Sequence, residues 1–228
     1  MNFLKIRPNE KRPILILFII FFCITGACIT GAAVRDAIFL INFDRTYLPL
    51  MYIFIALFMA LAIEAYKKLT SNKDQINLMI LAGSFFSISL LVFQLHMAGW
   101  VIPAFYIWME IITILSIMQF WILAGEVFNP RQAKRLFPLI IAGGSIAAIG
   151  AGYSIKPFVE IYGSENLLYL TIIFLITSII MSHFVRPYIK VDIQEIDQNI
   201  QDNKVQFDPY LKAIAIMVAC SAFISRII

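Results

Sequence analysis

The chain has 228 residues, 61% of them hydrophobic and only 14% charged, and its mean hydropathy is +0.86. Soluble domains are about 45–50% apolar and about 25% charged, so this chain has too little polar surface to cover a water-facing core of its size. The net charge of +4 is the usual basic bias of a membrane protein and implies no nucleic-acid partner. Cys23, Cys28 and Cys220 fall in apolar blocks without CxxC spacing, which reads as core thiols; no metal and no cofactor is expected.

The apolar residues come in long runs, the signature of a bilayer. A basic, proline-punctuated start (1–12, with Lys5, Arg7, Lys11 and Arg12) precedes a run from Pro13 to Val34. Further runs cover about Leu48 to Tyr66, Gln75 to Phe93, Ala104 to Gly125, Leu136 to Ser154 and Leu167 to Phe184. Each is close to the ~20 residues that cross ~30 Å of hydrocarbon. A backbone in lipid must satisfy its own hydrogen bonds, which predicts helices; the ~10-residue alternating segments of a membrane β-barrel are missing. The first run is longer than the 7–15-residue core of a secretory signal and five more follow it, so it reads as a span rather than a cleaved leader.

Lysines and arginines set the orientation. With the N-terminus in the cytoplasm, the inner segments hold Lys5, Arg7, Lys11 and Arg12; Lys67, Lys68 and Lys73; Arg131, Lys134 and Arg135; and Arg186, Lys190, Lys204 and Lys212. That is fourteen, against Arg35, Arg45 and Lys156 outside, with Arg226 left in the last run. The expected location is the inner (plasma) membrane, multi-pass, with the lipid bilayer as an obligatory partner. Residues 185–209 turn polar and acidic, and a seventh apolar run begins near Tyr210. Six helices (13–184), a long cytoplasmic loop (185–209) and the start of a seventh helix (210–228) match the layout of a two-halved transporter. The expected fold class is therefore all-α: the six-helix N-terminal half of a major-facilitator-type fold, with a C-terminal half or a partner subunit to complete it.

Charge inside a membrane helix is costly and marks a functional candidate. Glu110 lies in the middle of the fourth run, roughly 10 Å from its outer end, with Thr113 on the same face. It is either a structural carboxylate paired to a neighbouring helix or part of a substrate or proton path. Arg35 and Asp36 stand where the first run ends, and adjacent residues on a helix do not face one another, so each needs a partner elsewhere. An interfacial pair is one reading; a cavity arginine suited to an anion is the other. Glu64 and His96 read as interfacial and solvated.

The fifth run carries a glycine pattern. Gly144, Ala148 and Gly152 recur at i, i+4 and i+8 beside Gly143, Ala147 and Ala151, and such spacing lets two membrane helices approach closely. A phosphate loop is excluded, because no Lys-Ser/Thr pair follows the glycines. Ahead of it, Asn129-Pro130 breaks the chain, and Arg131, Lys134 and Arg135 stand at the cytoplasmic mouth near Glu126. A salt-bridged latch there would suit alternating access, and replacing Lys134 and Arg135 by Gln is then expected to abolish transport while sparing insertion.

The stretch from Phe120 to Gly152, centred on Ala133-Lys134-Arg135-Leu136-Phe137-Pro138-Leu139, resembles the bacterial and plastid ATP/ADP translocases and, more closely, their major-facilitator-like relatives. "RDAIFL" from Arg35 and "YLPLMYIFIA" from Tyr47 agree in type and position. The resemblance implies antiport of nucleotides, ATP against ADP, without hydrolysis, with charged membrane residues touching the phosphates; Arg35 and Glu110 are the matching positions. The chain departs from the translocase pattern in reading "AKRLFPLIIAGGS" and lacks the usual facilitator loop between helices two and three, where it reads "YKKLTSNKD". The alternatives are a carrier of another solute and a non-transporting half-length membrane protein. No metal-spaced histidine cluster, nucleophile motif or paired intramembrane aspartates point to an enzyme.

Overall fold

A computed structural model describes residues 7, 10–70, 74–97, 99–164 and 166–189. They form one compact unit of six helices. The order is α1 (Lys11–Asn42), a 3₁₀ turn (Arg45–Tyr47), α2 (Leu48–Thr70), α3 (Gln75–Leu95), α4 (Val101–Val127), α5 (Pro130–Tyr162) and α6 (Leu167–His183). A second 3₁₀ turn, Arg186–Tyr188, closes the unit. The expected inter-half loop from residue 190 onward, the seventh run and Cys220 lie outside the described residues.

Five of the six helices, α1 to α5, are long and apolar enough to cross a membrane. The sixth, α6, is apolar but has 17 residues, near the lower limit for a span. This arrangement fits a multi-pass helical membrane protein. The largest difference from the sequence reading is the length of α1 and α5. Helix α1 has 32 residues, about 48 Å at 1.5 Å per residue, and continues seven residues past Arg35. Arg35 and Asp36 are therefore inside a helix rather than at its exit, because nothing from Val34 to Asn42 breaks helical geometry.

Local signals account for the start of α5. The Asn129 side chain accepts from the backbone of the first turn, while the Asn129 N–H donates to Gln132 Oε1 at 3.2 Å, a capping box, and Pro130 sits at the first helical position. Pro138 and Pro157 lie within the helix, where each lacks an N–H to give to the preceding turn. Spanning helices tolerate this when neighbours supply the packing.

Helix α1 is the hub, lying against α4, α5 and α6, while α3 packs on α4 and α6, and α2 rests mainly on α4. The core fills around it in two clusters. One, at the end where α1 begins, joins Leu17, Ile20 and Ile24 to Phe120, Leu123, Leu136 and Ile140. The other joins Val34, Ile38 and Phe39 to Phe105, Tyr106, Ile112 and Leu168. A buried hydroxyl pair, Thr30 Oγ1 and Thr171 Oγ1 at 2.9 Å, ties α1 to α6, and each also bonds a carbonyl of its own helix, so neither is left unsatisfied.

The α1–α5 contact is close at two glycines. A Cβ on Gly143 would stand 2.9 Å from the Phe18 carbonyl oxygen, and one on Gly144 would stand 2.5 Å from the Phe21 ring. Ala147 is buried on the same side. Ala148 is half-buried and Gly152 exposed, with open space where a Cβ on Gly152 would be, so the small-residue stripe meets α1 over its first part only.

Candidate functional site

Four polar or ionisable side chains meet between the later part of α1 and the early part of α4. Arg35 Nη1 donates to Glu110 Oε2, joining residues 75 apart in sequence. Arg35 Nε donates to Asp36 Oδ1 at 2.9 Å, and the guanidinium carbon lies 4.6 Å from the centre of the Tyr106 ring. Sequence spacing argued against an Arg35–Asp36 contact. The long arginine stem folds back far enough to make it, which the i, i+1 rule for shorter side chains does not anticipate.

The cluster is only partly enclosed. The side chain of Arg35 is 12% exposed, that of Glu110 26% and that of Asp36 49%. Tyr106 is buried and has Tyr52 of α2 beside it. Thr113, one turn below Glu110, gives its hydroxyl hydrogen to the Met109 carbonyl at 3.0 Å, and Cys28 of α1 lies beside Thr113 and Glu110. The set brings one guanidinium together with two carboxyl groups. A guanidinium served by two carboxyl groups and an aromatic face is well compensated, which is how such a charge is tolerated seven residues from the end of a helix. The arginine keeps Nη2 without a hydrogen-bond partner among the described residues.

Two lateral grooves flank this region. One of 470 Å³ lies between α2, α3 and α4 and includes Ala62, Leu78, Phe85 and Trp108. The other, of 510 Å³, includes Phe39, Phe54, Trp100 and Ile107. Both are apolar, and neither is lined by Arg35 or Glu110. They suit acyl chains or an apolar neighbour better than a charged solute.

The basic cluster is built differently from the expectation. Arg135 pairs not with Glu126 but with Glu10, at the residue preceding α1: Arg135 Nη2 reaches Glu10 Oε1 at 2.7 Å and Oε2 at 2.6 Å. Gln132 Nε2 donates to Glu10 Oε1 at 3.1 Å, and the Arg7 backbone N–H donates to Oε2 at 3.0 Å. The Glu10 side chain is 6% exposed. Burial pushes its carboxyl up, but the Arg7 N–H, the Gln132 amide and the Arg135 guanidinium outweigh it, so the group is held below its ordinary value of 4.5. Arg131 and Lys134 are exposed, and Glu126 is half-buried with no ion pair among the described residues. Glu10 was not legible as a site: it is the lone acid in a basic segment, and only its distance in space from Arg135 shows its use. Nearby, Arg186 contacts Asp74 at 3.4 Å and Asn77 at 3.0 Å, an exposed tie between the 3₁₀ turn after α6 and the start of α3.

No protein-family model matches the chain, and no curated protein and no solved structure matches it. The long apolar helices thus fit the class of a multi-pass helical membrane protein, with an Arg–Glu ion pair joining two of them.

Proposed function

We propose that this protein is a membrane transporter working by alternating access, and that Arg35, Glu110, Asp36 and Thr113 lie on the face that meets the solute. One observation carries the reading: an Arg–Glu pair deep in two spanning helices, left partly open on one side rather than sealed in the core. A purely structural membrane pair gains most when fully enclosed, since every exposed edge in lipid leaves a polar group unserved. Partial exposure makes sense if a second bundle, from the same or another chain, closes over this face and leaves water between. The half-open faces of α1 and α4 supply the polar wall of such a space, and the unburied sides of α2 and α5 supply apolar surface for the partner bundle.

The resemblance carries the substrate class one step further, to nucleotide antiport of the ATP/ADP type with the N-terminus in the cytoplasm. The support is the "AKRLFPL" stretch and the presence of an arginine where a phosphate would need one. The reading also gives Arg135 a part. Clasped to Glu10, it holds the start of α5 on α1, while Arg131 and Lys134 remain free to meet an incoming anion. Reconstituted into vesicles loaded with unlabelled ADP, the protein is expected to take up labelled ATP, and vesicles without internal nucleotide are expected to take up far less. Equal uptake by loaded and empty vesicles rejects exchange; no uptake of ATP, ADP or other anions in either rejects the carrier.

A further inference from the structure

The guanidinium of Arg35 is already engaged, and how it is engaged limits what can bind there. Nε is held by Asp36, its neighbour on the same helix, and the ring of Tyr106 covers one face. Nη1 is held by Glu110, which belongs to a different helix. An arginine presents its donors in a flat fork shaped for two oxygens of one carboxylate or phosphate group. Nη2 is open, but the second arm of the fork, Nη1, is occupied by a carboxylate. A ligand that bridges Nη1 and Nη2 has to displace Glu110, whereas one that bridges Nε and Nη2 would displace Asp36, which is carried on the same helix as Arg35.

We infer that Glu110 is a built-in stand-in for a substrate oxyanion: it fills the Nη1 position of Arg35 in the empty state and is displaced when a phosphate or carboxylate group takes both Nη1 and Nη2. This rests on the transporter reading above and deepens it. It gives Glu110 a role distinct from lining a path. The residue sets how tightly the anion binds and returns to Arg35 to expel it. It also links binding to movement, since the Arg35–Glu110 contact is an ionic tie between α1 and α4, and losing it on binding frees one helix from the other at that level. Among the described residues no cation other than Arg35 pairs with Glu110. Within reach are Asp36 and Cys28 from α1, Tyr106 and Thr113 from α4 and Tyr52 from α2, and α3 has no ionisable side chain between Gln75 and Leu95. Displaced Glu110 is thus poorly served, and the anion is held loosely enough to leave, as a carrier requires.

The test is equilibrium binding of radiolabelled ATP and of inorganic phosphate to the purified protein, with citrate as a carboxylate competitor, in the parent, Glu110→Gln and Glu110→Asp. Removing the internal competitor is expected to tighten binding about tenfold in Glu110→Gln, with Glu110→Asp in between, while exchange by Glu110→Gln slows because nothing drives the anion off. Competition by citrate as strong as by phosphate assigns the site to oxyanions generally, and its absence assigns it to phosphate; either agrees with the inference. If the parent binds and Glu110→Gln binds equally or more weakly, the inference fails and the carrier reading stands. If the parent binds neither ATP, phosphate nor citrate, both fail. Should Glu110→Gln not fold, Glu110→Asp alone decides, since a shorter acid that left affinity unchanged would contradict the displacement.

Discussion

Arg35→Gln is expected to abolish anion transport and to lower the unfolding midpoint of the purified protein, whereas Arg35→Gln with Glu110→Gln recovers most of the stability and none of the transport. Taking away the guanidinium leaves Glu110 and Asp36 with no cation beside them, and removing one member of a buried ion pair costs about 3–5 kcal/mol, because the survivor stays desolvated. Here the side chains retain 12% and 26% exposure, so the low end, about 3 kcal/mol, applies to the single variant. Neutralising Glu110 as well removes the survivor, so the two substitutions cannot be additive. Thermal unfolding in one detergent, measured for both single variants and the double, gives the coupling directly. Additive losses would mean that the two residues do not depend on one another.

The second large effect lies at the other end of the bundle. Glu10→Ala is expected to destabilise the protein by about 3 kcal/mol, because it strips the acceptor from Arg135, Gln132 and the Arg7 N–H at once. Arg135→Gln follows for the same reason, whereas Lys134→Gln, an exposed side chain, is expected to stay within about 0.5 kcal/mol. The pair of substitutions that sequence reasoning grouped as a gate should therefore separate, Arg135 acting on stability and Lys134 on transport. The clasp also has a pH signature. A carboxyl held below 4.5 in the folded protein stabilises it fully above 4.5, and that contribution is lost as pH falls through the lowered folded value. The midpoint of the parent should drop steeply on acidification below 4.5, and that of Glu10→Ala less so. Parallel slopes would show that Glu10 takes no part in the acid transition.

Much of the architecture is visible in the sequence, because the bilayer turns composition into position: each of the first six expected runs corresponds to one helix, and α6 starts at the expected residue, Leu167, and ends one residue before the expected Phe184. The limits of α1 and α5 were not visible, since Arg35-Asp36 in α1 and the basic start and Lys156-Pro157 of α5 interrupt the apolar runs and look like span ends to a hydropathy reading. The site was half legible. Arg35 and Glu110 each stand out as charges out of place, but their pairing links positions 75 apart, and no local pattern encodes that. The glycine spacing marks a face of α5 but not how far α1 follows it, so Gly143 and Gly144 touch Phe18 and Phe21 while Gly152 does not meet α1. Glu10 escaped notice because a single acid among basic residues resembles ordinary interfacial charge until its four hydrogen bonds are seen.

The transporter reading comes down to whether water reaches the helix-four carboxylate and its neighbours from one side of the membrane. A Thr113→Cys variant, with Cys23, Cys28 and Cys220 changed to Ala, can be treated with a membrane-impermeant thiol reagent in sealed vesicles. Labelling from one side, slowed when ATP or phosphate is added, is the expected result. A thiol that stays unreactive from both sides, in a protein that still folds, would mean that Arg35 and Glu110 form a dry brace between α1 and α4.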